Sequence, residues 1–111
     1  MKSIIQDEDE CFICRMIYKV ETPATETHHV IYGRGMRELA DRDGLTVRLC
    51  NLHHDRLHRK HEFDKALQII GQRKYIEKLM SDGMSEEEAK ANFLSRYSFF
   101  RDWKENDETQ I

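Results

Sequence analysis

Cys11-x-x-Cys14 and Cys50-x-x-His53 are two knuckles carrying the side chains that zinc prefers, and His28, His29, His54 and His58 stand between and just after them. A structural zinc takes four thiolate or imidazole ligands in a tetrahedron, and paired C-x-x-C and C-x-x-H turns deliver them. Three cysteines make an odd set, which argues against a disulfide framework and for metal ligation. The expected first site is therefore a structural Zn2+ held by Cys11, Cys14, Cys50 and His53. Its binding free energy would be folding free energy. The 35 residues between Cys14 and Cys50 are too many for a compact finger, but they leave room for a linker and a hairpin.

A second site follows from His54. It comes directly after His53, and one helical step turns its side chain about 100° away, so the two neighbours must serve different purposes. His54 and His58, one turn apart, can grip a divalent ion together. His28 is the natural third ligand, with positions left open for water and phosphate. Mg2+, Mn2+, Ni2+ and Zn2+ are all candidates for that ion. His29 is then free to act as general base, because an imidazole titrates near neutrality. Adjacent strand residues point to opposite faces, so His28 and His29 can share one site only if their strand ends or kinks at the doublet. His61 continues the series on the same helical face and stands as an alternative to His58.

These side chains need a hairpin and a helix to bring them together. The stretches 27–32 (THHVIY) and 45–50 (LTVRLC) are rich in β-branched and aromatic residues and bounded by glycine, so they should pair as antiparallel strands. The connection 33–44 is long for a hairpin loop, with Gly33, Gly35 and Gly44 as hinges, and long loops between short strands tend to be functional. From Asn51 the pattern becomes helical through His61. A second helix is expected over about 62–80, burying Phe63, Leu67, Ile70, Ile76 and Met80 and stopped by Ser81-Asp82-Gly83. Ser85 and Glu88 have the spacing of a capping box for a last helix, whose stripe of Ala89, Phe93, Tyr97, Phe100 and Trp103 reads as core or dimer contact.

Composition sets the frame. A chain of 111 residues is one domain's worth, and 35% charged residues leave a thin core that a metal staple would help. The net charge of −3 hides a partition: residues 28–74 carry ten basic against six acidic side chains and all six histidines, while both flanks are acidic. A basic centre of this kind is a footprint for nucleic acid. The start, MKSIIQDEDE, has neither the apolar core of a signal peptide nor the length of a membrane span. The expectation is a cytoplasmic protein without a membrane partner.

The stretch HHVIYGRGMRELADRDGLTVRLCNLHHDRLH, with the Cys11 knuckle before it and ALQIIGQRKYIEKL after it, resembles the HNH endonucleases of the ββα-metal class, in particular small phage and prophage HNH-like proteins. The likeness covers most of residues 11–80. It implies an α+β fold with a zinc-stapled, treble-clef-like ββα-metal core and two additional C-terminal helices. It divides the chain into a flexible acidic lead (1–10), a nuclease domain (11–104, with knuckle, hairpin and helix in 11–61 and a helical extension in 62–104) and a tail (105–111). In that family the first residue of the doublet binds metal and the second is the base, which maps to His28 and His29. A histidine in the first position, followed by H-x-x-x-H, is closer to the colicin-type DNases and maps their metal ligands to His28, His54 and His58. The family's middle asparagine would fall at Leu45 or Thr46, neither of which carries an amide.

The resulting expectation is a metal-dependent endonuclease that cleaves DNA, double-stranded by this reading, with weak sequence preference. Arg34, Arg37, Arg48, Arg56 and Arg59 are available for phosphate contacts. A homodimer would present two basic centres to a duplex, and the resemblance implies a phage or prophage origin in a bacterial host. A second reading is a zinc-stapled nucleic-acid or protein adaptor that keeps the fold without turnover. A third is a protein-binding module using the aromatic C-terminal helix.

Overall fold

The computed structural model describes residues 2–101. A short π-helical turn, Cys14–Tyr18, follows the first knuckle, and the chain continues through β1 (Glu26–His29), α1 (Met36–Asp43), β2 (Thr46–Leu49), α2 (Asn51–Lys60), α3 (Asp64–Ser81) and α4 (Glu86–Tyr97). This is the expected α+β class. The strands pair antiparallel, with His28 opposite Val47 and His29 opposite Thr46. Alternation along β1 sends His28 to the same face as Val47, which is buried in the core, and sends His29 to the other face. Both strands are shorter than the β-rich stretches predict. Val30, whose N–H still donates to Leu45 O (3.0 Å), and Ile31 lie past the strand's end and fill the core.

The connection between the strands is not an open loop, because it contains α1. Met36, Leu39 and Ala40 are spaced as one apolar face of a short helix, and that face packs on the core. Charged residues and the flanking glycines conceal so short a pattern. The glycines serve the helix ends: Gly35 (φ 78°) precedes it and Gly44 (φ 73°) caps it, its N–H reaching back to Asp41 O. A Cβ at Gly44 would also lie 2.5 Å from Lys2 O.

That close approach reflects a second difference from expectation. Residues 2–10, read as a flexible lead, lie along the α1–β2 edge. Ile4 N–H donates to Gly44 O (2.9 Å), the Ser3 hydroxyl donates to Thr46 O (2.6 Å), and Arg48 N–H donates to Gln6 Oε1 (2.8 Å). Edge strands expose backbone groups that need partners, and Ile4 and Ile5 add apolar contact to the core.

α2 begins at Asn51 as expected and ends at His61, which takes a left-handed conformation (φ 55°). Phe63 (φ 68°) does the same before α3, so a tight turn joins the two helices. α3 buries Leu67, Ile70 and Ile76, but Met80 is exposed at its last turn. Gly71 lets α3 come close to β1's continuation: a Cβ there would meet Val30 Cγ2 at 2.6 Å. The capping box of α4 is formed, with Ser85 Oγ accepting from Glu88 N–H and Glu88 Oε1 accepting from Ser85 N–H. Ala89, Phe93 and Tyr97 are core, as the stripe predicts. Ser98 (φ 62°) ends the helix, so Phe100 lies beyond it and half-buried, and Trp103 and the tail lie outside the described residues. α4 is also clamped to α1: Arg96 forms a two-pronged ion pair with Asp43 (2.6 and 3.0 Å), and the Tyr97 hydroxyl donates to the same carboxylate. Among the described residues no helix is long and apolar enough to cross a membrane.

Candidate functional site

Cys11, Cys14, Cys50 and His53 meet in one cluster, every ligand atom within 4.8 Å of the others. The first knuckle is a turn closed by Arg15 N–H to Cys11 O, and the second spans the start of α2, which puts His53 one turn in from Cys50. His53 Nδ1 lies 3.6, 3.4 and 3.3 Å from the sulfurs of Cys11, Cys14 and Cys50, and the Cys14 and Cys50 sulfurs are 3.9 Å apart. Ligands about 2.3 Å (S) and 2.0 Å (N) from a tetrahedral zinc are separated by roughly 3.8 Å (S to S) and 3.5 Å (S to N). The fit is close, so these four side chains could hold a metal such as zinc.

Their electrostatics point the same way. Burial pushes the Cys14 thiol up to about 11. Burial acts upward on Cys11 too, but hydrogen bonds from the Cys50 and Cys14 backbones hold it below the usual thiol value. Three thiols this close cannot all ionise without a cation among them. Tyr18, from the π-helical turn, stacks on the His53 ring with centroids 5.9 Å apart.

The neighbouring face of α2 carries a second cluster. Leu57 is buried on the His53 side, while His54 and His58 line up one turn apart beside them with their Nε2 atoms at 3.1 Å. His28 reaches in from β1, its ring centroid 6.2 Å from that of His54 and 6.1 Å from that of His58. One nitrogen from each ring falls within the same 4.8 Å. Two nitrogens each about 2.1 Å from one ion stand roughly 3.0–3.4 Å apart, so the His54–His58 spacing suits shared ligation.

His28 is 5% exposed, and its Nε2 is a buried polar atom with no hydrogen-bond partner among the described residues. Desolvation pushes its pKa down to about 4, against the opposing pull of the Asp64 carboxylate. The ring is therefore neutral at pH 7 and keeps a lone pair. His54 is also held below the ordinary value, first by burial and then by His58. Buried polar atoms are normally paired, so an unpartnered imidazole nitrogen on a ring beside two others could take a ligand.

The two members of the doublet are reconciled by the end of the strand. β1 stops at His29, and both rings line one open cavity of about 430 Å3 with Glu26, Thr27, Tyr32, Arg37, His54 and His58. His29 is not part of the three-histidine cluster. Its Nε2 lies 3.1 Å from Asp41 Oδ1, an α1 residue that sequence reasoning did not single out. The only signal was one more acid in a charged connection, and its reach depends on α1 being a helix.

His61, considered as an alternative to His58, is turned away by the left-handed end of α2. Its Nδ1 sits 3.0 Å from Asp64 Oδ2, which also accepts the Tyr32 hydroxyl at 2.5 Å. Burial, then that contact, pushes the Tyr32 phenol up to about 12.

The five arginines divide. Arg37 lines the histidine cavity, and Arg34, Arg37 and Arg56 make no side-chain hydrogen bond or ion pair among the described residues. The Arg48 guanidinium is taken by Asp9 (2.8 Å) and Thr27 (2.7 Å), and Arg59 pairs with Asp55 one turn back (3.0 Å). Compared with known proteins, the chain matches no family model, no curated protein and no solved structure.

Proposed function

We propose that the protein is a metal-dependent endonuclease of the HNH type, built on a zinc-stapled ββα-metal core, that hydrolyses phosphodiester bonds of double-stranded DNA with little sequence preference. The observation that carries this reading is the meeting of His28, His54 and His58 in an open cavity whose wall also holds His29. Three protein ligands with space left over are the pattern of catalytic rather than structural metal sites. A divalent ion held there would supply Lewis-acid stabilisation of the charge that grows on the phosphate.

The residues around it do the rest. His29 takes the proton from the attacking water as the new P–O bond forms, and the 3′ oxygen departs. Arg37 meets a phosphate oxygen from the same cavity, and Arg34 and Arg56 extend the positive surface without reading bases. Arg48 and Arg59, already paired within the fold, contribute less. Imidazole ligands suit Ni2+ or Zn2+, whereas Mg2+ and Mn2+ prefer oxygen.

Plasmid nicking tests the reading. With Ni2+ or Zn2+ the protein should convert supercoiled DNA to open circles, with Mg2+ or Mn2+ more slowly, and EDTA should stop it. His29→Ala should slow cleavage about 100-fold or more with zinc content unchanged. Equal cleavage by both proteins would remove His29 as base. No cleavage with any metal, and no second ion bound, would leave a zinc-stapled binding module in place of an enzyme.

A further inference from the structure

We infer that Asp41 is a positioning residue for His29: its carboxylate, delivered by α1, fixes the ring with the proton on Nε2 and leaves Nδ1 as the ring's sole proton acceptor. The inference rests on the nuclease reading of His29 but concerns a residue from a different element. A carboxylate can only accept, so the 3.1 Å contact between Asp41 Oδ1 and His29 Nε2 requires the hydrogen to sit on Nε2. Which ring nitrogen carries the proton is set by the partner of the other. The His29 side chain is 12% exposed, so few alternative orientations are open to it. Asp41 is ionised, its carboxyl held below the usual value first by the His29 contact.

The carboxylate does not hang from a free loop. Its own carbonyl accepts from Gly44 N–H, and Ala40 beside it is fully buried with its carbonyl accepting from Leu45 N–H. Two residues on, Asp43 is gripped by Arg96 and Tyr97 of α4. Asp41 also lines, with Arg37, Gly35 and Glu38, a cavity of about 460 Å3 that shares His29 and Arg37 with the three-histidine cavity. α1 thus presents a cation for phosphate and an anion for the base on one side of the molecule. A general base misaligned or in the wrong tautomer loses most of its effect even when everything else is in place.

The test is a pair of measurements on the full chain with zinc in its knuckles. Nitrogen-15 NMR of the imidazoles reports the tautomer directly. His29 should be the Nε2–H form in the wild type and a mixture in Asp41→Ala, a surface helix substitution that favours helix. In the plasmid assay Asp41→Ala should lower kcat about 10- to 100-fold while KM for DNA and metal uptake by His28, His54 and His58 stay within twofold. A wild-type His29 in the Nδ1–H form overturns the inference whatever the activity. So does an Asp41→Ala protein that cleaves as fast as wild type, and in that case the nuclease reading survives. A wild type that cleaves nothing sinks the nuclease reading, and the tautomer still decides whether Asp41 holds the ring.

Discussion

Burial of His28 decides how its ring answers to pH. In the fold, desolvation holds its pKa near 4, against 6.5 for the free side chain. The contribution of a neutral His28 to stability is therefore complete above pH 6.5 and is lost as pH falls towards 4, because the unfolded chain takes up a proton that the folded protein refuses. Between pH 7 and pH 5 the loss amounts to about 2 kcal/mol for protein with no ion on the three histidines. Urea unfolding of wild type and His28→Gln at both pH values checks it, since the Cys/His knuckles are common to the two proteins and cancel. Parallel losses would mean that the ring is not protected from protonation. At the other cluster, Cys11→Ser removes one of the four side chains that could hold a metal. Native mass spectrometry should find one tightly held zinc in the wild type and none in the variant, and a well-folded wild type free of zinc would contradict the staple.

Two contacts set how the helices hold the strand ends. Gly71→Ala should destabilise by about 1 kcal/mol. The added methyl collides with Val30 Cγ2 at 2.6 Å, and a β-branched side chain in the core cannot swing away, so overpacking of about 1–3 kcal/mol outweighs the roughly 1 kcal/mol that alanine gains over glycine in a helix. A rise in melting temperature would show that propensity wins. Asp43→Ala should cost about 1–3 kcal/mol by leaving Arg96 and Tyr97 without their acceptor. It should also raise amide exchange in α1 more than in α3, which hydrogen exchange by mass spectrometry resolves; uniform exchange would deny that α4 steadies α1.

For the molecule as a whole the Cys/His cluster and the core are one unit. Cys11, Cys14, Ile13, Leu49 and Leu57 belong to one buried cluster with the strands and α4's Phe93 and Tyr97, so the first knuckle is part of the core rather than an appendage. A strong zinc chelator should therefore abolish the cooperative thermal transition and not merely release a terminal flap, as circular dichroism would record. The acidic flanks and basic centre bear on partners. DNA binding, if it runs through Arg34, Arg37 and Arg56, should weaken with salt with a shallow slope, of order two to three phosphates' worth of counterion release.

Much of this was written in the order of residues. The knuckle spacings predicted which four side chains gather, because C-x-x-C and C-x-x-H turns are local geometry. The i, i+4 spacing of His54 and His58 predicted their shared face, and Ser85 with Glu88 predicted the start of α4, for the same reason. The antiparallel pairing followed from two β-branched stretches. Long-range placement was decided only by the fold. Nothing local says that the acidic lead covers the edge beside Gly44, that α1 forms within a glycine-bounded connection, or that Asp41 comes to His29 from it. Nor does local pattern remove His61 from the His54–His58 face, since the left-handed end of α2 is imposed by the turn into α3. The doublet shows the division best. Alternation along a strand separates His28 from His29, and only the end of β1 against α2 and α1 lets one ring join His54 and His58 while the other lines the same cavity, held by a carboxylate.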